Sequence, residues 1–407
     1  MSIVVQKFGG TSVADIDCIR HVASRVAEAV RAGHRVVVVP SAMAGTTNKL
    51  VGWTEALAGE HRLRSEYDTV VAAGEQITSG LLALALDQRG IRARSFQGWQ
   101  VRIITDDAHG KARIRAIETD ALRVCLEQGT VAVVAGFQGV NDQDRVTTLG
   151  RGGSDTSAVA LAAALGAERC DIFTDVDGVY TSDPRIVTKA RKLDLITYEE
   201  MLEMASLGAK VLQTRSVALA MAKEVRVQVL STFDDRPGTF VVGEEDVVEQ
   251  QVVSGIAYSR DEAKVTLVGV SDRPGIAATI FGALAEAGIN VDMIVQSVSP
   301  DGARTDLTFT VGRTDIELAK NHLEAIAGEL GCERIDADAG VVKVSVIGVG
   351  MRSHAGVAHK MFTTLADRGI NIQAISTSEI KVSVLISEDY TELALRSLHT
   401  AYGLDAV

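Results

Sequence analysis

The sequence VVQKFGGTSV (residues 4–13) takes an apolar strand into a glycine turn, with a lysine at the end of the strand. In the phosphate-binding P-loop the lysine follows the glycines, whereas here Lys7 precedes Gly9 and Gly10. Glycines let backbone N–H groups approach an anion, and Gly10 lies at the entry to a predicted helix, whose dipole favours negative charge. The stretch therefore predicts a phosphate site, although a strand that ends in a tight turn explains the same residues.

Alternating strands and helices follow this stretch through residue 245, which predicts a largely parallel α/β sheet. Between the predicted strands Ile3–Phe8 and Arg35–Val39, the apolar residues of 15–32 recur at helical spacing. Ligands bind at the carboxyl ends of the strands in such sheets, so the loops after the strands are expected to carry the chemistry. Further strands are predicted at Val101–Thr105, Thr130–Ala135, Cys170–Thr174 and Val225–Leu230.

The rest of the chain contains a repeated unit. Residues 264–297 resemble residues 343–378, since each copy has a strand, a glycine-containing turn, an amphipathic helix and a Gly-Ile-Asn triplet before a second strand. Two copies predict a pair of small ferredoxin-like domains, consecutive or interleaved, because a solenoid usually needs at least three repeats. A Pro-Gly turn and an acidic run mark a boundary before them. The predicted segments are a first domain at 1–245, a linker at 246–262, and repeats at 263–340 and 341–407.

Composition narrows the class of protein. The 407 residues suffice for two or three domains, and 46% hydrophobic with 23% charged residues is typical of a globular protein. A net charge of −12 argues against a nucleic-acid or acidic-membrane partner. Met1 leads directly into an apolar strand and the apolar runs are short, so we expect a cytoplasmic protein without a signal peptide. The four scattered cysteines form no CxxC pair, which predicts free thiols.

The most specific local signal is TTLGRGGSDTSA (147–158). Ser154 and Asp155 open an apolar helix, and helix capping alone would explain them. Capping does not explain an arginine among glycines. Arg151 is free to project into a cleft and to bind a carboxylate or phosphate through two parallel hydrogen bonds. Asp155, at the start of the helix, is placed to orient Lys7 or the attacking group.

Two further loops follow predicted strands. The first, PSAMAGTTN (40–48), offers small hydroxyl side chains to a substrate, although taken alone it is more simply an ordinary polar loop. The second, FTDVDGVYTSDPR (173–185), carries Tyr180, which can stack on a base, and Arg185, which can meet a phosphate. A surface loop of turn-forming residues has the same composition. Together with Lys7, these loops supply the positioning and charge stabilisation that phosphoryl transfer requires.

These segments together resemble aspartate kinases in order and spacing. The resemblance covers essentially the whole chain and implies an amino-acid-kinase fold, a largely parallel three-layer α/β sandwich, followed by two ferredoxin-like α+β ACT domains. It implies that ATP phosphorylates the side-chain carboxylate of L-aspartate to give L-4-aspartyl phosphate, the first step of lysine, threonine and methionine biosynthesis. The matching stretches are KFGGTSV, SAMAGTTN, AGE (73–75), GFQG (136–139), TLGRGGSDTSA, FTDVDGVYTSDPR and GAKVLQTRSV (208–217).

The resemblance also implies roles for individual residues. Lys7 is expected to stabilise the transferring phosphoryl group, Asp155 to orient Lys7, and Arg151 to hold a carboxylate of L-aspartate. Glu75 is expected to receive the substrate ammonium group, and no metal ligand is assigned because Mg²⁺ is expected to arrive on ATP. The substrate pocket is completed by Ser41, Thr47, Phe137 and Ser154. The residues expected to hold ATP are Lys7, Phe8, Gly9, Gly10, Ser41, Ser154, Thr174, Asp175, Tyr180, Arg185 and Lys210.

The repeats acquire a regulatory role from the same resemblance, because ACT pairs of aspartate kinases bind end-product amino acids. L-lysine and L-threonine, singly or together, are the expected effectors. A helix N-terminus suits the effector carboxylate and Asp272 or Asp292 suits its amine, although the same residues also suit plain turns. ACT strand edges commonly pair between chains, so we expect a homodimer or higher oligomer. The expected effector contacts are Asp272, Gly275, Ile276, Ala277, Asn290, Val291, Asp292, Gln296, Val357, Asn371 and Ile372.

Two other functions fit parts of the sequence. Another amino-acid kinase, acting on glutamate or acetylglutamate, would use the same phosphate-binding residues. A non-catalytic amino-acid sensor would need only the ACT pair, but Lys7, Glu75, Arg151 and Asp155 are all present.

Overall fold

The structure is a computed structural model that describes residues 2–59, 63–208, 211–247, 251–299 and 303–405, apart from the side chain of Ser353. The described residues form two compact units. The first unit contains residues 2–179, 192–205 and 211–247, and the second contains residues 180–191, 206–208 and 251–405.

The first unit is built on an eight-stranded sheet with the order β10-β12-β11-β9-β1-β2-β6-β3. Its described strands pair in parallel except for β11 with β12. A second, four-stranded sheet has the order β5-β4-β7-β8. The strands are β1 (Ile3–Phe8), β2 (Arg35–Pro40), β3 (Ala93–Phe96), β4 (Ile103–Thr105), β5 (Ile114–Ile117), β6 (Val131–Val134), β7 (Gln138–Val140), β8 (Val146–Thr148), β9 (Arg169–Thr174), β10 (Leu195–Thr197), β11 (Val227–Ser231) and β12 (Thr239–Val242).

Helices cover the large sheet. One apolar core joins β1, β2 and β6 to the first and fourth helices, and the sixth helix is buried along nearly its whole length. The predicted alternation of strands and helices is therefore confirmed as an α/β fold. The helices that begin in this part of the chain are α1 (Ile16–Arg31), α2 (Thr46–Ala58), α3 (Arg64–Val71), α4 (Ala73–Asp87), α5 (Asp120–Glu127), α6 (Gly153–Leu165), α7 (Tyr198–Ser206) and α8 (Thr214–Ala222).

The central strand β1 explains why a lysine is buried in this unit. All six residues of β1 are buried between β2 and β9. Successive side chains of a strand point to opposite faces of the sheet. Phe8 packs into the core shared with α1 and α4, so Lys7, its neighbour, points toward the other face. A buried ammonium needs a charged or hydrogen-bonding partner, and α6 supplies it.

The second unit contains two four-stranded sheets, with the orders β15-β16-β14-β17 and β13-β18-β20-β19. Each sheet has its own apolar core and two helices. The strands are β13 (Gly255–Ser259), β14 (Ala263–Ser271), β15 (Val291–Val298), β16 (Arg304–Val311), β17 (Arg334–Asp338), β18 (Val341–Ile347), β19 (Ala374–Thr377) and β20 (Lys381–Ser387). The helices are α9 (Ile276–Glu286), α10 (Ile316–Leu330), α11 (Val357–Ala366) and α12 (Thr391–Ala401).

The predicted repeat is present as two ferredoxin-like α+β units, but the chain is divided differently from the predicted segments. The predicted linker at 246–262 contains β13, which pairs antiparallel with β18. The second sheet therefore takes an edge strand from before the first repeat. Residues 180–191 were expected in the first domain, yet Ile186 and Val187 are buried in the apolar core of the second sheet. Their packing partners lie far along the chain, so local composition could not predict that Ile186 and Val187 belong to this core.

Within the described part of the chain, one stretch has the length and composition of a membrane span. It is Arg64–Asp87, which contains α3 and α4, and 44% of its most apolar window is buried within the protein. Core helices pass the same test of length and composition, so this stretch is weak evidence for a membrane segment.

The join between β11 and β12 gives a direct test of the sheet geometry. A Cβ added at Gly238 would lie 1.8 Å from the carbonyl oxygen of Val229, a backbone atom that cannot move aside cheaply. We predict that Gly238→Ala lowers the free energy of unfolding by about 1–3 kcal/mol, the usual cost of overpacking. Thermal unfolding measures it.

The matched control is Gly52→Ala in α2, where an added Cβ meets nothing within 4 Å. This change is expected to stabilise the protein by about 0.5–1 kcal/mol through helix propensity. Equal Tm values for the two variants would contradict the described β11–β12 packing.

Candidate active site

The centre of the candidate site is an ion pair between β1 and α6. The Lys7 Nζ atom lies 2.6 Å from Asp155 Oδ1, and the two side chains are only 11% and 9% exposed. Asp155 Oδ1 is buried, and apart from this ion pair it has no hydrogen-bond partner among the described residues. The structure thus brings together two residues that the sequence analysis assigned to one catalytic group.

The glycine turn packs closely beside this pair. A Cβ added at Gly9 would lie 3.5 Å from Lys7 Nζ, and one added at Gly10 would lie 3.1 Å from the carbonyl oxygen of Ala42. The Gly9 N–H donates to the Phe173 carbonyl oxygen at 3.2 Å. Phe8 stacks on Phe173 with ring centroids 4.6 Å apart. The open side of Gly9, where a Cβ would lie, therefore faces the Lys7 ammonium.

Glu75 is a buried carboxylate with an oxygen to spare. It lies in the first turn of α4 and is 3% exposed. Its Oε1 accepts a hydrogen bond from the Ala42 N–H at 3.0 Å, whereas Oε2 is buried with no hydrogen-bond partner among the described residues. Burial raises the pKa of Glu75 to about 7, against the opposing effect of the Ala42 hydrogen bond. A buried oxygen without a partner is costly unless a ligand supplies a donor, and an ammonium group is a suitable one.

The arginine loop ends at the start of α6. Gly150 and Gly152 adopt left-handed φ angles of 79° and 69°, which glycine tolerates best. Arg151, between them, is exposed, and within the described part of the chain it forms no hydrogen bond or ion pair. Its guanidinium is therefore free to bind an anion.

Phe137 and Ser154 meet near the start of α6. Phe137 adopts a left-handed φ of 67°, an uncommon conformation for a bulky residue, and its N–H donates to Ser157 Oγ at 3.1 Å. A Cβ added at Gly153 would lie 2.8 Å from a ring carbon of Phe137. A Cβ added at Gly136 would lie 2.9 Å from Ser154 Oγ. The Gly-Phe-Gln-Gly stretch thus packs directly on the GRGGSD helix start.

The remaining candidates of the first unit lie at strand ends. The Ser41 N–H donates to the Phe8 carbonyl oxygen at 2.9 Å, which fixes the loop after β2 beside the glycine turn. Thr47 is half-buried in the first turn of α2. Thr174 Oγ1 donates to Asp175 Oδ1 at 3.0 Å at the end of β9, and Asp175 is exposed.

Two of the expected ATP contacts lie in the second unit. The Arg185 guanidinium donates to both carboxylate oxygens of Asp183, at 3.0 and 2.8 Å, and this pairing lowers the pKa of Asp183. Tyr180 is half-buried at the start of the same segment. Lys210 lies outside the described residues.

The expected effector contacts divide into turn residues and one engaged carboxylate. Gly275 and Gly356 adopt left-handed φ angles of 93° and 97° at the starts of α9 and α11, so the two repeats share this turn. Val357 lines an open pocket of about 580 Å³. Ile276 is buried. The remaining contacts, partly or largely exposed, are Asp272, Ala277, Asn290, Val291, Gln296, Asn371 and Ile372.

Asp292, expected to meet an effector amine, already has a partner. Its Oδ2 lies 2.9 Å from Lys343 Nζ, and Lys343 also pairs with the buried Glu262. Partial burial tends to raise the pKa of Asp292, but the Lys343 ammonium outweighs it and the pKa is lowered. An effector amine would therefore have to share or displace an internal ammonium, which the sequence analysis did not foresee.

The sequence analysis also missed a buried carboxylate that supports the arginine loop. Asp68 in α3 is fully buried, and its Oδ2 accepts from the Thr148 N–H at 3.0 Å, the Gly110 N–H at 3.1 Å and His109 Nδ1 at 2.7 Å. Its Oδ1 accepts from Thr148 Oγ1 at 2.5 Å. Asp68 gave no local signal, because its partners come from strand β8 and from the loop at His109 and Gly110.

Comparison with known proteins identifies the family. A family model described as the amino acid kinase family matches residues 2–231, and two ACT-domain models match residues 264–328 and 344–402. An aspartate kinase of Pseudomonas fluorescens (strain SBW25) is 55% identical over 408 residues, covering 100% of this chain and 98% of that protein. The chain belongs to the aspartate kinase family. An aspartokinase of Helicobacter pylori (strain J99) is 50% identical, covering 99% of this chain and 100% of that protein.

Solved structures of this family have the same architecture. The structure of E. coli aspartokinase III in complex with aspartate and ADP, in the R-state, has a TM-score of 0.82 at 30% identity and covers 98% of this chain and 99% of that one. The T-state structure of the same enzyme with lysine and aspartate has a TM-score of 0.80 at 31% identity, with the same coverage. The expected aspartate kinase fold, an amino-acid-kinase unit followed by ACT domains, is thereby confirmed.

The buried Glu75 carboxyl gives a pH-dependent stability. Between pH 4.5 and about 7 the unfolded chain loses this proton before the folded protein does, so the stability contribution of Glu75 falls as pH rises through that window. We predict that Glu75→Gln is nearly neutral at pH 4.5 and stabilises the protein by roughly 3 kcal/mol above pH 7, because the pKa of Glu75 is raised from 4.5 to about 7. Denaturant unfolding at several pH values measures it.

Glu127→Gln, a change at an exposed carboxyl in α5, is the matched control. It is expected to alter stability by less than about 0.5 kcal/mol at every pH. A Glu75→Gln effect that is independent of pH would show that burial does not govern this carboxyl.

Proposed function

We propose that the chain catalyses transfer of the γ-phosphoryl group of ATP to the side-chain carboxylate of L-aspartate, giving L-4-aspartyl phosphate and ADP. The observation that carries the proposal is the buried Lys7–Asp155 ion pair beside the glycine turn. It provides a fixed positive charge next to a glycine turn, and phosphoryl transfer depends mainly on such positioning and charge stabilisation. Aspartate and ADP are the ligands named for the related E. coli enzyme.

The reaction needs no general base. A carboxylate is ionised at neutral pH, so its oxygen attacks the γ-phosphorus directly. The new bond joins that oxygen to phosphorus, and the bond to the β–γ bridging oxygen breaks, leaving its electron pair on ADP. Lys7 offsets the charge that develops on the transferring group, and Asp155 holds the ammonium in place.

Substrate recognition is assigned to the two groups with unused bonding capacity. The free Arg151 guanidinium suits a carboxylate of L-aspartate, and the unpartnered Oε2 of Glu75 suits the substrate ammonium. These opposite charges match the two ends of an amino acid. The backbone around Ser41, Phe137 and Ser154 lies beside them.

Magnesium is expected on the phosphates of ATP rather than in a protein cage. Among the side chains that the structure describes, no group of three or more His, Cys, Asp or Glu residues is placed to hold a metal ion. Mg²⁺ commonly binds through substrate phosphates, where it would neutralise phosphate charge.

We further propose that L-lysine, L-threonine or both inhibit the enzyme through the ACT units. Lysine is the ligand named for the T-state of the E. coli relative. Exposed apolar residues on the edge strand β15, among them Ile294 and Val298, favour pairing with a second copy of the chain, so we expect a homodimer or higher oligomer. A cytoplasmic location follows from the need for ATP and free amino acids.

The proposed reaction is tested by steady-state assays with L-aspartate, L-glutamate and N-acetyl-L-glutamate, with hydroxylamine trapping the acyl phosphate. We expect kcat/KM for aspartate to exceed the other two values by at least about 100-fold, which is about 2.7 kcal/mol of discrimination. Comparable rates with glutamate or acetylglutamate would favour the alternative amino-acid kinases. No turnover with any acid would favour the amino-acid sensor.

Removal of the Lys7 ammonium tests its proposed role. We predict that Lys7→Ala lowers kcat by about 10²–10³-fold, the usual loss on removal of one group that stabilises transition-state charge. Because Asp155 would remain buried and unpaired, a lower Tm is also expected. Exposed Lys223→Ala is the control, with unchanged kcat and Tm. A folded Lys7→Ala protein with wild-type kcat would exclude Lys7 from the mechanism.

The proposed effector site is tested at Asp292. We predict that Asp292→Asn raises the lysine concentration for half-inhibition by about tenfold, since a charged hydrogen bond is lost, and leaves uninhibited kcat unchanged. Asp336→Asn on β17 is the matched control. Truncation after residue 247 is a poorer test, because it removes the core that buries Ile186 and Val187. Unchanged lysine inhibition in Asp292→Asn would remove this residue from the site.

A further inference from the structure

Arg215 makes an unusual pair of contacts beside the candidate active site. It lies in the first turn of α8, within the VLQTRSV part of the motif at 208–217. Its Nη1 donates to the Leu149 carbonyl oxygen and its Nη2 to the Ala112 carbonyl oxygen, both at 2.6 Å. No described carboxylate forms an ion pair with it. Both hydrogen bonds of the guanidinium thus go to backbone carbonyl groups. One of these carbonyls belongs to Leu149, two residues before Arg151.

A second residue of the motif, Gln213, contacts the arginine loop on the C-terminal side of Arg151. A Cβ added at Gly152 would lie 2.1 Å from Cγ of Gln213, so the Gln213 side chain rests directly on the Gly152 backbone. Residues 213 and 215 therefore contact the loop on both sides of Arg151. A two-sided support restricts the loop more than either contact alone.

The other backbone polar groups of Thr148 and Leu149 are also engaged. The Thr148 N–H donates to Asp68, and its carbonyl oxygen accepts from the Ala112 N–H at 2.9 Å. The Leu149 N–H donates to the Phe137 carbonyl oxygen at 2.9 Å. Without Arg215, the Leu149 carbonyl would be the unpaired group in this chain of contacts.

The contrast between loop and side chain is the basis of the inference. The backbone of Thr148 and Leu149 is held by hydrogen bonds, whereas the Arg151 side chain is exposed and makes no polar contact with the described residues. A free side chain on a fixed base is pre-organised for a ligand, because little backbone ordering remains to be done on binding.

We propose that Arg215 is a positioning residue for L-aspartate. It fixes Leu149 and Ala112 so that Arg151 meets the substrate carboxylate, and Gln213 supports the same loop through Gly152. This inference rests on the proposed function. Because Arg215 acts through Arg151, its loss weakens aspartate binding far more than ATP binding.

The experiment compares Arg215→Lys with wild-type enzyme, measuring KM for aspartate and ATP separately. A lysine ammonium cannot hold both carbonyls in the bidentate geometry of the guanidinium. We expect the aspartate KM to rise about tenfold, since a charged hydrogen bond is lost, and the ATP KM to change less than about twofold. The matched control is Arg123→Lys, whose Nη2 donates to the Ala164 and Leu165 carbonyl oxygens at the far end of α6. Its KM values should equal those of wild type.

A double-mutant cycle separates positioning from general destabilisation. In the Arg151→Ala background, Arg215→Lys is expected to raise the aspartate KM by less than about twofold further, because the group it positions is gone. The same factor in both backgrounds, or equal rises in the two KM values, would overturn the proposal.

Two further outcomes are distinguishable. If Arg215→Lys does not fold, Gln213→Ala replaces it, with an expected rise of about threefold in the aspartate KM alone, since one of two supports is lost. An unchanged aspartate KM in Gln213→Ala would overturn the inference. The proposed function would still stand if the wild-type enzyme phosphorylates aspartate. Wild-type enzyme inactive toward aspartate would overturn both.

Discussion

A buried ammonium at the centre of a parallel sheet is the constraint from which the site follows. Lys7 cannot remain charged there without a partner, and Asp155 is that partner. Because Asp155 belongs to the first turn of α6, the pair fixes the end of β1 against the start of that helix. The glycine turn after β1 and the arginine loop before α6 are thereby brought to one place, with the Lys7 ammonium and the glycine turn on one side and an exposed guanidinium on the other.

Two other side chains of the site, Glu75 and Arg151, have polar atoms without a hydrogen-bond partner among the described residues. Glu75 satisfies one oxygen with backbone and leaves the other without a partner, and its pKa is raised to about 7 by burial. Arg151 makes no polar contact with the described residues, although the backbone around it is held by Asp68 and Arg215. An amino-acid substrate carries a carboxylate for Arg151 and an ammonium group for Glu75. The site therefore has a hydrogen-bonded backbone and two side chains that a substrate would pair with.

Much of this arrangement was accessible from the sequence, and the rest depended on distant partners. Strand and helix periodicity, the repeat and the glycine-flanked Arg151 predicted the α/β class, the paired small domains and the residues around Lys7. The pairing of β13 with β18 could not be predicted, because a short apolar strand carries no information about its partner. The burial of Ile186 and Val187 and the Lys343 contact of Asp292 could not be predicted for the same reason. The same holds for the hydrogen bonds from Arg215 to two carbonyl groups. The predicted residue roles stay predictions.

The central claim is that Asp155 acts by holding Lys7 at the transferring phosphoryl group. The most direct measurement is kcat for Lys7→Ala, for Asp155→Ala and for the variant in which both residues are alanine. If Asp155 acts through Lys7, the double variant should lose about as much turnover as Lys7→Ala alone, because residues that act as a unit are strongly non-additive. Losses that multiply across the two positions would contradict the account and assign Asp155 a separate role.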